Sequence, residues 1–359
     1  MRRFQCPVCT TEVHFGNSHC GHCGAGLGYL PRHDQMQALP LGGGSPTPCA
    51  NREVIGCNWL CDSGGDGGGD GDGNGGASLC LSCRHTMKIP NTADTERQNQ
   101  WARLERAKRR LFYSLLKFNL PLSDSPDGTA GSLQFELLGD ETRPDGAQKR
   151  VMTGHDNGRI TINIDEADDV TRERNRAALG EPYRTLIGHF RHEVAHYYWD
   201  KLIAGTDRLA ACRACFGDEQ QDYAQSLAAH YANGPAPDWP QSFVSAYASA
   251  HPWEDFAETW AHYFHMVGGL ETAQAYGLDP KSLTEPAAQA SQASQTPLAW
   301  LPNPYHATDC DELIARWVPL TIAMNAMNRS MGNRDYYPFV LTPAIARKLR
   351  FIHDLIAGS

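Results

Sequence analysis

The sequence lacks three features, and each absence argues against a class of function. It has no apolar run long enough to span a bilayer, so we expect no membrane-inserted segment. The first residues, Met1 to Pro7, lack the apolar stretch and small-residue cleavage site of a secretory signal, which favours a cytoplasmic protein. An excess of basic residues is also missing: the formal net charge of −9 argues against nucleic-acid binding, because phosphate binding needs a dense basic surface.

What the chain does have is length, apolar content and cysteine. Its 359 residues are 41% hydrophobic, enough for one sizeable core plus small appended modules. The sequence contains 12 cysteines, and the cytoplasm keeps thiols reduced. We therefore expect these cysteines to serve as metal ligands more than as disulfides.

Two Cys-x-x-Cys pairs near the start predict a zinc ribbon over residues 1–30. They are Cys6 with Cys9 and Cys20 with Cys23, and a short polar stretch separates them. Each pair turns tightly enough to direct two sulfurs at one ion, and four thiolates close a tetrahedral shell with no position for a substrate. The predicted zinc is therefore structural, in a segment too small to build its own core.

A second cysteine-rich module is predicted over residues 45–92. Five cysteines compete for four ligand positions, and we favour Cys49, Cys57, Cys80 and Cys83, with Cys61 as a spare thiol. The Gly/Asp-rich run at 63–77 reads as a flexible insertion between ligand pairs. A calcium site in this run is the alternative, but the run lacks a regular repeat with interleaved apolar residues.

The remaining residues, 95–359, predict one α+β domain. Apolar residues at three- and four-residue steps between Thr95 and Leu120 predict an amphipathic helix, whose basic residues we expect on a solvated face: Arg106, Lys108, Arg109 and Arg110. Alternating patterns at 133–137 and 159–164 predict strands, the second preceded by the turn Asp156-Asn157-Gly158. This small sheet could supply an edge for an extended substrate.

The central motif is His-Glu-x-x-His at His192, Glu193 and His196, in a helix expected to begin near Pro182. Histidines four residues apart project from one helix face and can reach a single Zn²⁺. Glu193 lies beside the ion and can act as general base. An exposed helix rich in His and Glu is the alternative, but the flanking apolar residues favour burial. His189 lies on the same stripe and is expected to support the site from behind the ligands, or to touch substrate.

A catalytic zinc needs a further protein ligand, and we assign it to Glu254. Pro252 can begin a helix, on which Glu254 and Glu258 lie one turn apart on the same face. Glu254 can then bind zinc while Glu258 holds a ligand histidine by its free N–H. His262 is the substitute ligand. An acidic helix start stabilised by the helix dipole is the alternative for Glu254.

His192-Glu193-x-x-His196 followed by Glu254-Asp255-Phe256-Ala257-Glu258 resembles the gluzincin layout of lethal-factor-type metalloproteases. In that group the first glutamate of the downstream motif is the third ligand. A tyrosine seven residues earlier stabilises the oxyanion of the tetrahedral intermediate, and this resemblance implies that role for Tyr247. A buried aromatic is the alternative.

The whole chain also resembles a bacterial family called "putative zinc-binding metallopeptidase" with an N-terminal zinc ribbon. The matching stretches are Cys57 to Leu60, Cys80 to Arg84, Ile89-Pro90, Gly188 to Asp200, Phe216 to Glu219, Asn303 to Tyr305 and Asn328 to Gly332. The Gly/Asp-rich insertion, Cys61 and the pair Cys212 and Cys215 depart from the family pattern. The resemblance implies fold and metal more than it implies a substrate.

Together these patterns predict a mainly helical zincin-like domain preceded by two four-cysteine modules, with one catalytic and two structural zinc ions. The expected reaction is hydrolysis of a peptide or protein substrate by a zinc-activated water. One rival is a zinc-stabilised regulatory protein that uses its ribbons to bind a protein partner or nucleic acid. Another is a zinc hydrolase of non-peptide amides, because the same chemistry attacks either carbonyl.

Overall fold

A computed structural model of the chain describes residues 1–40, 46–61, 78–122, 131–142, 145, 148–178, 184–278 and 303–359. The described residues form two compact units, and the division between them falls inside one helix, after Glu193. The first unit comprises Arg3–Asn175 and Thr185–Glu193; the second comprises Met1–Arg2, Arg176–Arg184 and Val194–Ser359. The Gly/Asp-rich insertion and Pro182 lie outside the described residues. The helix expected to begin near Pro182 begins at Leu186 instead, because Arg184 and Thr185 before it are not helical.

The first unit holds short strands and helices together with one long helix. Its strands are β1 (Phe4–Gln5), β2 (Glu12–Val13), β3 (Gly26–Leu30), β4 (Gln35–Leu39), β5 (Thr47–Pro48), β6 (Leu60–Cys61), β7 (Thr86–Lys88), β8 (Gln134–Leu138), β9 (Glu141–Thr142), β10 (Gln148–Lys149), β11 (Gly154–Asp156) and β12 (Arg159–Asn163). Its helices are α1 (Arg52–Ile55), α2 (Leu81–Arg84) and α3 (Thr95–Lys117). Two further helices begin in this unit and end in the other, α4 (Asp169–Ala178) and α5 (Leu186–Leu202).

The largest sheet of the first unit has four strands in the order β11, β12, β8, β7. Strand β8 pairs in parallel with both β12 and β7, and β11 pairs antiparallel with β12. The turn between β11 and β12 places Asn157 and Gly158 at positive φ, as the turn signal predicts. Gly158 is required here, because a Cβ would lie 2.5 Å from the Ser132 carbonyl oxygen. The sheet confirms the predicted strands and adds β7, which the sequence pattern did not reveal.

An aromatic cluster joins both cysteine modules to α3 within the first unit. Phe15 from the ribbon contacts Tyr29 of β3, with ring centroids 4.8 Å apart, and Tyr113 of α3 at 5.3 Å. Trp59, from the second module, lies 5.4 Å from Tyr29. Phe4 of β1 completes the group. The modules therefore share a buried apolar core with a long helix, in addition to any bound ion.

Helix α3 confirms the predicted apolar face and corrects the predicted basic one. Its predicted core positions are all buried: Trp101, Leu104, Ala107, Leu111, Leu115 and Phe118. The expectation of a solvated basic face is wrong for Lys108 and Arg109, which are buried, although Arg106 and Arg110 are exposed. Lys108 is 3.0 Å from the buried carboxylate of Glu105, so a charged group inside the unit has its partner one turn away.

The second unit is built around one long, largely buried helix. After α5 come α6 (Leu209–Phe216), α7 (Tyr223–Asn233), α8 (Pro252–Ala275), α9 (Cys310–Ser330) and α10 (Pro343–Ala357). Helix α8 contacts α6, α9 and α10, and its Trp260 stacks on Tyr198 of α5 with centroids 5.3 Å apart. Gly269 of α8 lets α9 approach, because a Cβ there would lie 2.4 Å from Trp317. The two units together give the α+β composition that the sequence predicts.

None of the helices in the described residues combines the length and the apolar character needed to cross a membrane.

Candidate metal centre

Helix α5 carries the His-Glu-x-x-His motif at its centre. Phe190, Val194 and Ala195 are fully buried and hold the helix in the core. The side chains of His192, Glu193 and His196 are buried as well. Buried imidazole and carboxyl groups need hydrogen-bond partners or an ion to offset their lost hydration. This surface of the helix is therefore a candidate metal-binding site.

Helix α8 supplies a carboxylate from its first turn. His251 caps the helix by accepting a hydrogen bond from the Trp253 backbone N–H at 3.1 Å, and Pro252 takes the first helical position. Glu254 follows and is 1% exposed. The positive end of the helix dipole favours a carboxylate at this position. Pro252 thus begins the helix where the sequence predicts.

His192, His196 and Glu254 each offer one ligand atom, and these atoms all lie within 4.8 Å of one another. His196 Nε2 is 3.8 Å from Glu254 Oε1. Two ligands at about 2.1 Å on a tetrahedral zinc would be about 3.4 Å apart, so the spacing fits one shared ion. Two imidazoles and one carboxylate also form the donor set of a catalytic zinc, which keeps its fourth position open.

Glu193 and His189 lie in the N-terminal part of α5, which belongs to the first unit. His189 Nε2 is 3.4 Å from Glu193 Oε1, and its Nδ1 is 3.8 Å from Oε2 of Glu166. Two carboxylates therefore flank this imidazole. Sequence reasoning placed His189 behind the ligands but missed Glu166, which the chain brings in from the short 3₁₀ segment Ile164–Ala167 after β12.

The structure places the remaining predicted site residues around α8. Glu258 accepts a hydrogen bond from Ser245 Oγ at 2.7 Å. His262 pairs through Nδ1 with the Tyr337 hydroxyl at 2.7 Å and is not a member of the ligand group, and burial lowers its pKa to about 4. Tyr247 lies in the short 3₁₀ segment before α8, with its ring 6.2 Å from that of His230.

One hydroxyl at the site was missed by sequence reasoning. Tyr223, the first residue of α7, donates a hydrogen bond to Glu254 Oε1 at 2.7 Å. The two residues are 31 positions apart, and no spacing rule connects a tyrosine at that distance to a metal ligand. Only the observation that a buried carboxylate needs donors could have prompted a search for it.

The cysteines form two groups of four, as predicted. Cys6, Cys9, Cys20 and Cys23 make one group, and Cys49, Cys57, Cys80 and Cys83 make the other. Sulfur–sulfur distances are 3.6 and 3.7 Å in the first group and 3.7 Å in the second. Four sulfurs at about 2.3 Å on a tetrahedral zinc would be about 3.8 Å apart, whereas a disulfide needs about 2 Å. Both groups therefore fit zinc and exclude disulfides.

The thiol pKa values in the second cysteine group are shifted in both directions, because burial raises the pKa of Cys80 well above its ordinary value. Hydrogen bonds from Cys57 and Cys61 lower the pKa of Cys49 to about 4. The Cys80 backbone N–H also points at the Cys49 sulfur, at 3.3 Å. Arg109 is buried close by; burial alone would lower its pKa, but the Cys57 thiolate and Glu105 raise it above its ordinary value. Cys61 lies beside the group, with its sulfur 3.3 Å from the Ser78 carbonyl oxygen.

Cys212 and Cys215 lie on α6, and burial raises the pKa of both thiols. In the described part of the chain neither belongs to a group of metal-binding side chains.

Comparisons with known proteins extend these observations to the whole chain. A family described as "Putative zinc-binding metallo-peptidase" matches residues 97–355, and a zinc-ribbon domain matches residues 3–94. Uncharacterized proteins of Mycobacterium bovis and Mycobacterium tuberculosis are each 40% identical over 361 residues, which cover 99% of this chain and 95% of theirs. No solved structure matches significantly. The chain therefore belongs to the family described as "Putative zinc-binding metallo-peptidase" and carries the zinc-ribbon domain at its N-terminal side.

Proposed function

We propose that the chain is a zinc-dependent metallopeptidase that hydrolyses peptide bonds at the centre formed by His192, His196 and Glu254. The observation that carries the proposal is the convergence of these three ligand atoms within 4.8 Å from two different helices. In the described residues this group has three members, not four, which favours a catalytic ion over a purely structural one.

When bound, the ion supplies Lewis acidity, which polarises the scissile carbonyl and makes water acidic enough to ionise near neutral pH. Glu193 lies next to the ligand His192 in the chain and is the proposed general base. Its carboxylate takes the proton of the attacking water and returns it to the leaving amine. His189 Nε2, at 3.4 Å, can hold the Glu193 carboxylate in the orientation that this transfer needs.

Tyr247 is the proposed oxyanion donor, by resemblance to the lethal-factor type. Glu258 is proposed to hold a ligand histidine by its free N–H, and its hydrogen bond from Ser245 supports an ordered carboxylate. His262 is proposed only as a packed supporting residue, because its Nδ1 is engaged by Tyr337.

The two cysteine groups are proposed as structural zinc sites, which makes three zinc ions per chain. The sulfur spacing supports this proposal. Such thiolate sites persist in a reducing compartment, in line with a cytoplasmic location. The ribbons also offer a surface for a protein partner, while the substrate is a peptide or protein.

The test compares the wild-type protein with Glu193→Gln and His196→Ala on a proteome-derived peptide library. We expect cleavage by the wild type, and we expect Glu193→Gln to keep its zinc while kcat falls by about 10²–10⁴-fold. His196→Ala should lose one zinc ion and the activity together. A chelated wild-type sample is the control for contaminating proteases. Wild-type cleavage rates in Glu193→Gln with full zinc content would contradict the proposed mechanism.

A further inference from the structure

We propose that Tyr223 is a positioning residue for the metal ligand Glu254, and that its hydroxyl sets the metal affinity of the centre. The inference rests on the proposed function, because it requires an ion at His192, His196 and Glu254. Tyr223 lies on α7, outside both helices that carry the ligands. The proposed role gives α7 a function at the metal centre that no sequence motif indicates.

The first observation is the geometry at one oxygen atom. Glu254 Oε1 accepts the Tyr223 hydroxyl at 2.7 Å and lies 3.8 Å from His196 Nε2. The oxygen that faces the ligand histidine is thus the same oxygen that the phenol holds. A hydrogen bond to this atom restricts rotation of the carboxylate and keeps Oε1 directed at the ion site.

The second observation is that the start of α7 is fixed to the start of α8 at another point. His251 Nδ1 accepts the Trp253 backbone N–H, so its Nε2 carries the proton and donates to the Gln221 carbonyl at 3.1 Å. Gln221 lies two residues before Tyr223. The rings of His251 and Tyr223 also meet edge to face at 5.2 Å. The phenol therefore approaches Glu254 from an anchored backbone.

Helix capping adds to this anchor. Asp222 accepts the Gln225 backbone N–H at 2.9 Å and caps α7, so Tyr223 occupies the first helical position. A helix that begins at this residue holds its side chain in a limited set of rotamers. The direction of the hydroxyl is then determined by the cap and by the contact with His251.

The third observation is that burial does not explain a tyrosine at this position. Tyr223 is 38% exposed, whereas Glu254 is 1% exposed. Its hydroxyl nevertheless donates to this buried carboxylate. A buried carboxylate that loses such a donor is destabilised, and removal of a group that orients a metal ligand costs about 10–100-fold in metal affinity.

The test measures zinc retention, which needs no substrate. Wild type, Tyr223→Phe and the control Tyr231→Phe would be dialysed against a graded series of dipicolinate concentrations, with zinc per chain read by mass spectrometry. Tyr231 lies on the same helix and is 59% exposed, so Tyr231→Phe reports the general effect of removing a phenolic hydroxyl from α7. Tyr223→Phe keeps the ring contacts with His251 and Trp253, and circular dichroism would verify the fold.

We expect Tyr223→Phe to release one zinc ion at about tenfold lower chelator concentration than wild type, while Tyr231→Phe follows wild type. The cobalt-substituted protein should also show altered visible absorption at the histidine and carboxylate site in Tyr223→Phe only. Identical zinc release and cobalt spectra in wild type and Tyr223→Phe would overturn the role of Tyr223 alone. A wild-type protein that binds only two zinc ions would remove the centre itself and both proposals.

Discussion

The ion pair between Lys348 of α10 and Asp255 of α8 gives a quantitative test of how the ligand helix is held. Lys348 Nζ lies 2.6 Å from Asp255 Oδ2, donates to the Ser242 carbonyl at 2.6 Å and lies 4.3 Å from the Phe243 ring centroid. The two side chains are 9% and 0% exposed. Removal of one partner from such a buried pair leaves the other group without its counter-charge, which costs about 3–5 kcal/mol when both groups are ionised. Because burial raises the pKa of Asp255 to about 7, the comparison is made at pH 8, where the wild-type carboxylate is ionised.

We therefore expect Lys348→Met to lower the free energy of unfolding by about 3–5 kcal/mol, measured by urea denaturation with zinc present. Asp255→Asn should destabilise as well, but the double variant should cost far less than the sum, because no charge is then left unpaired. Arg350 supplies the control on the same helix: it pairs with Asp311 at 2.7 Å, but both side chains are exposed. Arg350→Met should cost less than about 1 kcal/mol. Equal effects of Lys348→Met and Arg350→Met, or strict additivity in the double variant, would refute this reasoning.

Three further predictions follow from the metal groups, a buried imidazole and a close helix contact. Cys83→Ser should lose one zinc ion, whereas Cys61→Ser should keep all three, because Cys61 lies outside the four-sulfur group; equal zinc loss in both variants would show that the wrong thiol was assigned. Burial lowers the pKa of His262 to about 4, so its neutral form stabilises the fold above pH 6.5 and that contribution is lost as the pH falls toward 4. Between pH 7.5 and pH 5 the wild type should lose about 2 kcal/mol more stability than His262→Gln, and equal losses in the two proteins would contradict the role of this imidazole. Gly269→Ala places a methyl group 2.4 Å from Trp317 and should cost about 1–3 kcal/mol in a urea titration; an unchanged midpoint would mean that the two helices can separate freely.

Periodicity and short motifs predicted those parts of the fold in which neighbouring residues decide the structure. The helix predicted at 95–120 is observed at Thr95–Lys117, and the one expected from Pro252 begins there because His251 caps it. The last two helices begin in the same way, at Cys310 and Pro343. In each case an N-cap side chain or a proline defines the start.

The sequence patterns did not predict contacts between segments that are distant in the chain. Lys108 and Arg109 resemble solvent-facing residues on a helical wheel, yet Glu105 and the cysteine group provide buried partners for them. Strand β7 was missed because three residues after a zinc knuckle carry no alternation signal. Tyr223 was missed because only the folded chain brings a residue 31 positions away to Glu254.

The cysteine modules were expected to depend on zinc alone, but the aromatic cluster around Phe15, Trp59 and Tyr113 gives them a second source of stability. A proteolytic fragment that begins at residue 95 would carry Tyr113 on an uncovered helix surface and should aggregate. Loss of zinc should in turn loosen the packing around Tyr113 before α3 unfolds. The fluorescence of Trp59 would then report whether zinc is bound at a sulfur site of which Trp59 is not a ligand.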